Sequence, residues 1–548
     1  MQTMKRIHHV LAAAAVFVSA AVLVSCAKAE SSIDEITQLP EDTQTVTFTA
    51  TLAPKGEDPS TKAITTGKDG DNKEILNVAW KAGEEIAVYY ETTSGHATTT
   101  ATVESVDSET GAAIITATFA ADAKDNGEAK FVFPASLHNG TGDIDEAALL
   151  NQNGNLTGAN GISTKFDAAT STGTIVVRES EATVSGTVMM TNRVCICKFH
   201  FDILESAGVS GTARNFSPII IRDDNGHTYT ITSDKDDGTG GTRGFNRNDD
   251  VYVAMLPVSG KTVSFYTKYS NHYLYTASGT TLTAGKFYRN LSIDMVKDNS
   301  GQGDKYRDLR GGSITASDGD IIYQRVNTSA TSNTITILDG ATVTLAGVNI
   351  NATASAGITC SGSANIILEG TNSVTTSASN YPGIQAGGST TTLTISGRGS
   401  LSAVSENGAG IGSGYVGTCG DIVINSGTIS ANSQYGAAIG CGQYATCGNI
   451  SINGGTVHAI AYAASGIGGS TQTKFNSLTI GSGISSVTAQ TTGFSGHFVP
   501  IGKGYRDQGS GTVTVDGVAD WAGAETEHLN FAESTTTEAN DTWTLTHK

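Results

Sequence analysis

Proline is scarce in this chain, at 8 residues in 548. That excludes a polyproline or mucin-like stalk. Charge is thin and one-sided: 16% of residues are charged, with 33 Lys and Arg against 52 Asp and Glu. The resulting net charge of −19 argues against a nucleic-acid partner, because phosphate recognition needs clustered cations. Cysteine is sparse, at 7, in a chain far too long to need a small-domain disulfide framework. Runs of good helix formers are absent, and the histidines form no HExxH pattern. What remains is glycine, 65 residues of it, with abundant Ser and Thr. That is the composition of a turn-dense, all-β protein. Its length exceeds the roughly 250–300 residues at which single cores stop growing, so several domains are expected.

The N-terminus reads as a processing signal. Lys5 and Arg6 precede an apolar run, Val10 to Val24, too short to span a bilayer. Leu23-Val24-Ser25-Cys26 resembles the lipobox of bacterial lipoproteins. The resemblance implies cleavage before Cys26, acylation of that residue and attachment to the outer membrane or cell surface. Residues 1–25 are then the signal peptide and 26–44 a polar tether. The alternative is an ordinary secretory peptide with an incidental cysteine.

Two stretches nearly repeat: GAGIGSGYVGTCGDIVINSGTISA at 408–431 and GAAIGCGQYATCGNISINGGTVHA at 436–459. Ile358, Ile384, Ile411, Ile439 and Ile467 recur at spacings of 26, 27, 28 and 28. A fixed period of this size marks a solenoid. Each unit holds short period-2 strands with Gly or Asn between them, so a parallel β-helix is expected over 311–520. Its corners demand positive φ, which glycine adopts at least cost. The column Cys360, Ala386, Ser413, Cys441, Gly469 should point into the bore. Cys419 and Cys447, one coil apart, lie within disulfide reach and are either bonded or two free thiols. Cys195 and Cys197, at i and i+2 of a strand, read as buried residues; no second pair or His cluster supports a metal site.

Chemistry-bearing motifs fail in context. Gly412-Ser413-Gly414-Tyr415-Val416-Gly417 satisfies GxGxxG but precedes a strand, not a helix. Acids are few in the coils and no stacked carboxylate pair appears, as a glycosidase would need. Calcium would want six to eight oxygens, so a Ca²⁺ site is thinly supported and no cofactor or metal is expected. No catalytic constellation emerges, and the chain is expected not to be an enzyme. The coils do offer Thr, Ser, Asn and Tyr. Tyr415 and Tyr444 fall in equivalent corners, Asn425 and Asn453 are in register, and Tyr381 and Tyr435 lie near. Such a polar, aromatic surface either binds sugars or merely shields the coil edge.

The stretches ITILDGATVTLAGVNI (335–350), NIILEGTNSV (365–374), LTISGRGSLSA (393–403) and GAGIGSG (408–414) resemble the β-helical carbohydrate-binding repeats of gut-bacterial surface proteins. That resemblance implies polysaccharide binding, sometimes with Ca²⁺. Residues 45–300 show alternating strands parted by Gly, Asp and Asn turns, a β-sandwich pattern. Phe48-Thr49-Ala50, Trp80-Lys81-Ala82-Gly83-Glu84-Glu85-Ile86, Phe133-Pro134-Ala135 and Ala284-Gly285-Lys286-Phe287-Tyr288 resemble the fimbrillin-like (Mfa-like) lipoproteins of Bacteroidales. The usual Gly-Asp after the Trp is here Gly83-Glu84. The resemblance implies two transthyretin-like β-sandwiches, 45–184 and 185–298. It also implies cleavage near Lys55 or Lys62, and assembly with other fimbrial subunits by donor-strand exchange.

Residues 299–310 are polar and lack strand alternation, which predicts a linker; 521–548 ends in an alternating strand expected to cap the open coil. Three functions compete. One is a fimbrial tip or accessory adhesin whose β-helix meets a glycan or host ligand. Another is a non-polymerising carbohydrate-binding lipoprotein, and the third is a β-helix enzyme, which the missing acid/base pair disfavours.

Overall fold

A computed structural model describes residues 46–53, 65–206, 209–210, 215–236, 242–324, 329–493, 498–516, 518–519, 531–536 and 541–547. Cys26, Lys55 and Lys62 lie outside the described residues. The chain is all-β: two sandwich-like β domains precede a parallel β-helix.

In the first domain the strand Val46–Leu52 alternates VTFTATL, burying every odd position. It pairs antiparallel with Ala113–Phe119 and parallel with Glu181–Val184, so both its edges are satisfied. The strand Ala169–Arg178 pairs with Glu128–Phe133 and with Glu181–Val184, which closes the sheet on itself and leaves few open edges. Phe48, Phe119 and Tyr90 stack through the core, with ring centroids 4.3 and 3.9 Å apart. Thr191–Asn192 still belongs to this sheet; the second sheet borrows the short strand Asn151–Gln152, paired with Thr228–Ile231, and is otherwise built from Cys195 onward.

The second domain is built on Cys195–Ser206, flanked by Phe287–Lys297 in parallel and Val251–Met255 antiparallel. Cys195 and Cys197 are both fully buried in its core. Lys198, only 8% exposed, fastens the two domains: its Nζ lies 2.9 Å from both Glu74 Oε2 and Asp250 Oδ2.

From Tyr306 the chain winds into coils whose strands form three parallel sheets. The first sheet includes Ala364–Glu369, Thr392–Gly397, Asp421–Ile424 and Thr446–Ile452; the third includes Thr371–Thr376, Ser400–Ser405, Thr428–Ser433 and Gly455–Ala461. The second sheet is made of very short strands, Ile384–Gln385, Ile411–Gly412, Ile439–Gly440 and Ile467–Gly468. The repeated isoleucines stack here in register, Ile384 to Ile411 to Ile439 to Ile467, each 0% exposed. Each such burial contributes about 1.5–3 kcal/mol.

Two expectations need correction. Residues 299–310 are not a free linker: Tyr306–Asp308 is already a coil strand, paired with Ile321–Tyr323. Tyr306 stacks on Tyr266 of the second sandwich at 3.9 Å, and Ile220, Tyr323 and Ala346 complete a shared apolar cluster. Polarity hid this segment because its anchoring comes from one aromatic, not from alternation. The second correction concerns the corners. Gly427 and Gly455 do hold positive φ between the first and third sheets. Between the second and first sheets, however, the left-handed position is filled by Val416, Tyr444, Gln472 and Arg506, with φ of 52 to 58°.

At the far end, Asp541–His547 pairs antiparallel with Ile484–Thr491, and Phe531–Thr536 pairs with it in turn. Leu545 is fully buried against the last coil.

Candidate functional site

Because each second-sheet strand is so short, the corners on either side of it nearly touch. Asn380 O accepts from Tyr415 N at 2.9 Å and Asn407 O from Gln443 N at 3.2 Å; Tyr435 O accepts from Ser470 Oγ. Two columns of turns therefore run side by side along one edge of the β-helix. Tyr381, Tyr435 and Tyr462 occupy the leading column, and Tyr415, Tyr444 and Tyr505 the trailing one. Ten large apolar side chains are exposed among the described residues, and six of them stand on this edge: Tyr381, Tyr415, Val416, Tyr444, Tyr462 and Val499. A solitary exposed tyrosine needs no explanation, but this concentration does.

Tyr415 and Tyr444 meet edge to face, with centroids 5.6 Å apart. Their corners are equivalent, as expected, but the two residues are not in phase. Val416 N donates to Gln443 O and Tyr444 N to Thr471 O, so Tyr444 is in phase with Val416, and Tyr415 with Gln443. The one-residue offset puts the rings at an angle instead of in a stack. Tyr435 is half-buried, with Gln434 Nε2 donating to its hydroxyl at 3.3 Å. Tyr505 packs against Phe498, and the Arg506 guanidinium lies 5.1 Å from its ring.

The asparagines stand elsewhere. Asn425 and Asn453 are in register, with Asn453 Nδ2 donating to Asn425 Oδ1 at 3.0 Å. Their corner joins the first sheet to the third, so the structure does not bring them to the tyrosine edge. They form an amide ladder that ties successive coils. Asp421, Asn449 and Ser477 make a second ladder on the first sheet, at 3.0 and 2.7 Å.

Beneath the trailing corner, Cys419 and Cys447 are buried free thiols with Sγ atoms 3.1 Å apart. The hydrogen bond to Cys447 and burial hold the Cys419 thiol well above its ordinary range, and burial does the same for Cys441. Among the described residues, no three His, Cys, Asp or Glu side chains converge as metal ligands. The features that repeat counting missed are the left-handed Val416 column and the one-residue offset. Aligning 416 with 444 shows the offset; the left-handed φ has no signal in the sequence, since neither Val nor Tyr favours it.

No family model matches the chain, and no curated protein matches it. Solved structures with some similarity include a fimbrial protein from Bacteroides ovatus, at 11% identity and a TM-score of 0.22. That match covers 46% of this chain and spans half the length of that protein. A candidate cell adhesion protein from Bacteroides fragilis aligns at 13% identity and a TM-score of 0.26, over 47% of this chain and 94% of its own. A fimbrial assembly protein from Parabacteroides distasonis aligns at 9% identity and 0.23, over 47% and 93%. Superpositions this loose carry no weight for fold or role.

Proposed function

We propose that the protein is a cell-surface adhesin of fimbrial type that engages glycans through the tyrosine edge of its β-helix. One observation carries this reading: among the described residues, six of the ten exposed large apolar side chains gather on a single corner edge whose turns also carry Asn, Gln, Ser and Thr among their glycines. Aromatic faces cover the C–H side of a sugar ring while neighbouring amides and hydroxyls match its hydroxyls. The left-handed Val416 supports the same reading, since strained backbone at an exposed corner is kept only where something compensates.

The assembly role is read from two strands. Val46–Leu52 lies between Ala113–Phe119 and Glu181–Val184, and its loss would open a groove for another subunit's strand. Cleavage after it, at Lys55 or Lys62, would release it. Asp541–His547 is paired along both edges and so cannot be donated without opening the coil. The chain would accept a strand but not pass one on, which fits a tip or accessory position after lipid anchoring through Cys26. The locked strand equally favours a second reading, a lipoprotein that binds carbohydrate and never polymerises.

A glycan array probed with the full chain tests the binding. Binding that Tyr415→Ala with Tyr444→Ala reduces about ten-fold or more would support it, as loss of aromatic contacts worth over about 1.4 kcal/mol. Retention of full binding by that double variant would refute it. Labelling at filament ends, along shafts or on the bare surface separates the assembly readings.

A further inference from the structure

Where the two sandwiches and the coil meet, a cavity of about 320 Å³ opens. Glu146, Asn192, Arg193, His227, Leu256 and Arg398 contribute to its wall. Arg193 sits where the first sheet passes into the second, His227 precedes a strand of the second sandwich, and Arg398 stands at a corner of the coil. Ligand cavities favour such domain junctions, and this volume is at the small end of their range.

Each arginine uses a single nitrogen on the protein. Arg193 Nη1 donates to Asp143 Oδ1 at 2.8 Å and to Thr170 Oγ1 at 3.5 Å. Arg398 Nη1 donates to His227 Nε2 at 3.0 Å and stands 3.8 Å from Glu146 Oε2. His227 is 3% exposed, and its Nδ1 lies 2.7 Å from Asp223 Oδ2. With its Nδ1 proton given to that carboxylate, Nε2 is the acceptor that Arg398 needs. Nε and Nη2 of both arginines remain unpaired. That side of a guanidinium is the fork that matches the two oxygens of a carboxylate. Asn192 Oδ1 is buried and also lacks a donor. Glu146 is the one acid in the wall, 3.8 Å from Arg398, and Asp143 pairs with Arg193 at 2.8 Å, so each guanidinium has one carboxylate beside it and its remaining nitrogens free.

Arg243, by contrast, uses both Nη atoms on Asp249 at 2.6 and 2.8 Å, whereas the free sides of Arg193 and Arg398, 35% and 58% exposed, stay open to solvent and to a ligand. We propose that this cavity binds a small carboxylate of the kind a uronic acid carries in an acidic polysaccharide. The two arginines hold the carboxylate. The ligand would touch both sandwiches and the coil at once. The sugar part rests on the glycan reading above; the carboxylate is read from the arginines alone.

Isothermal titration of the full chain with glucuronate, glucose, acetate and sulfate tests the site. Saturable glucuronate binding is expected, with weaker acetate binding and none for glucose. Arg193→Lys keeps the charge and loses the fork, and should weaken glucuronate about ten- to hundred-fold at an unchanged melting temperature. The Tyr415→Ala, Tyr444→Ala double variant should bind glucuronate like the parent, whatever becomes of the tyrosine edge. The proposal is overturned if glucuronate does not bind, if glucose binds equally, or if sulfate binds as tightly as glucuronate. It is also overturned if the tyrosine variant loses the acid sugar while Arg193→Lys keeps it.

Discussion

Arg222 of the second sandwich places Nη2 3.2 Å from Oε1 of Glu369 in the coil, and Glu369 is 2% exposed. The second carboxylate oxygen of Glu369 is buried with no partner. The pair bridges a seam whose apolar half is the Tyr266 and Tyr306 stack. A buried ion pair is weak evidence for stability, because desolvation opposes the attraction. What the pair does is hold sandwich and coil in one register.

Burial raises the Glu369 carboxyl to about 7, although Arg222 pulls it down. A folded pKa above the unfolded value of about 4.3 means the folded state holds the proton more tightly. The stability it contributes is full below about pH 4.3 and is lost as pH rises through 7, a change of about 4 kcal/mol across the window. Glu369→Gln should abolish that slope and melt higher than the parent at pH 8. Thermal melts at pH 5 and pH 8 check it; parallel slopes for parent and variant would contradict the assignment.

The glycine column in the second sheet makes a sharper claim. Gly440 has a φ of 128°, and a Cβ there would press on the carbonyl oxygen of Gly468 in the next coil. Gly388 has nothing within 4 Å of the same position. Gly440→Ala should cost about 1–3 kcal/mol from backbone strain alone, more once the coils are pushed apart. Gly388→Ala should be near neutral. Equal melting temperatures for the two variants would show that the coils yield more easily than their register suggests.

Much of this architecture was legible in the sequence, because a stacked coil repeats its side chains one for one. The isoleucine column, the glycines between the first and third sheets and the small residues of the bore all follow from period and alternation. The joint was not legible. Arg222 and Glu369 are separated by 147 positions, and no repeat or alternation marks either of them. The polar run around Tyr306 reads as a tether until Tyr266 is placed above it. In the tyrosine edge, the residues were visible but their phase was not, since resemblance of two corners conceals a one-residue offset.

Val416 is a β-branched residue held at a φ of 52° and 63% exposed. For an L-residue the left-handed region costs about 1–2 kcal/mol, and asparagine tolerates it better. Val416→Asn should therefore stabilise the protein by about 1 kcal/mol, read as a higher urea midpoint at unchanged slope. A lower midpoint would mean that the valine methyls hold the corner through contacts worth more than the strain.

The final strands test how the coil is closed. Asp541–His547 satisfies the edge of Ile484–Thr491 through six paired positions, Ser486 to Thr546 through Thr491 to Asp541. Thr488 and Thr544 also share a hydroxyl contact at 3.2 Å. Without that strand, a row of backbone donors and acceptors faces water above Val487 and Ala489, both core residues. Deleting 518–548 should therefore lower the melting temperature and let chains associate through the bare edge, visible as higher mass by light scattering. Thr544→Pro is a gentler version: it removes one backbone donor within a strand that is paired on both sides, and should lower the melting temperature by less than the deletion does. If the deleted chain stays monomeric and melts like the parent, the strand is not a cap. It would then be available to leave the coil and pair with another subunit.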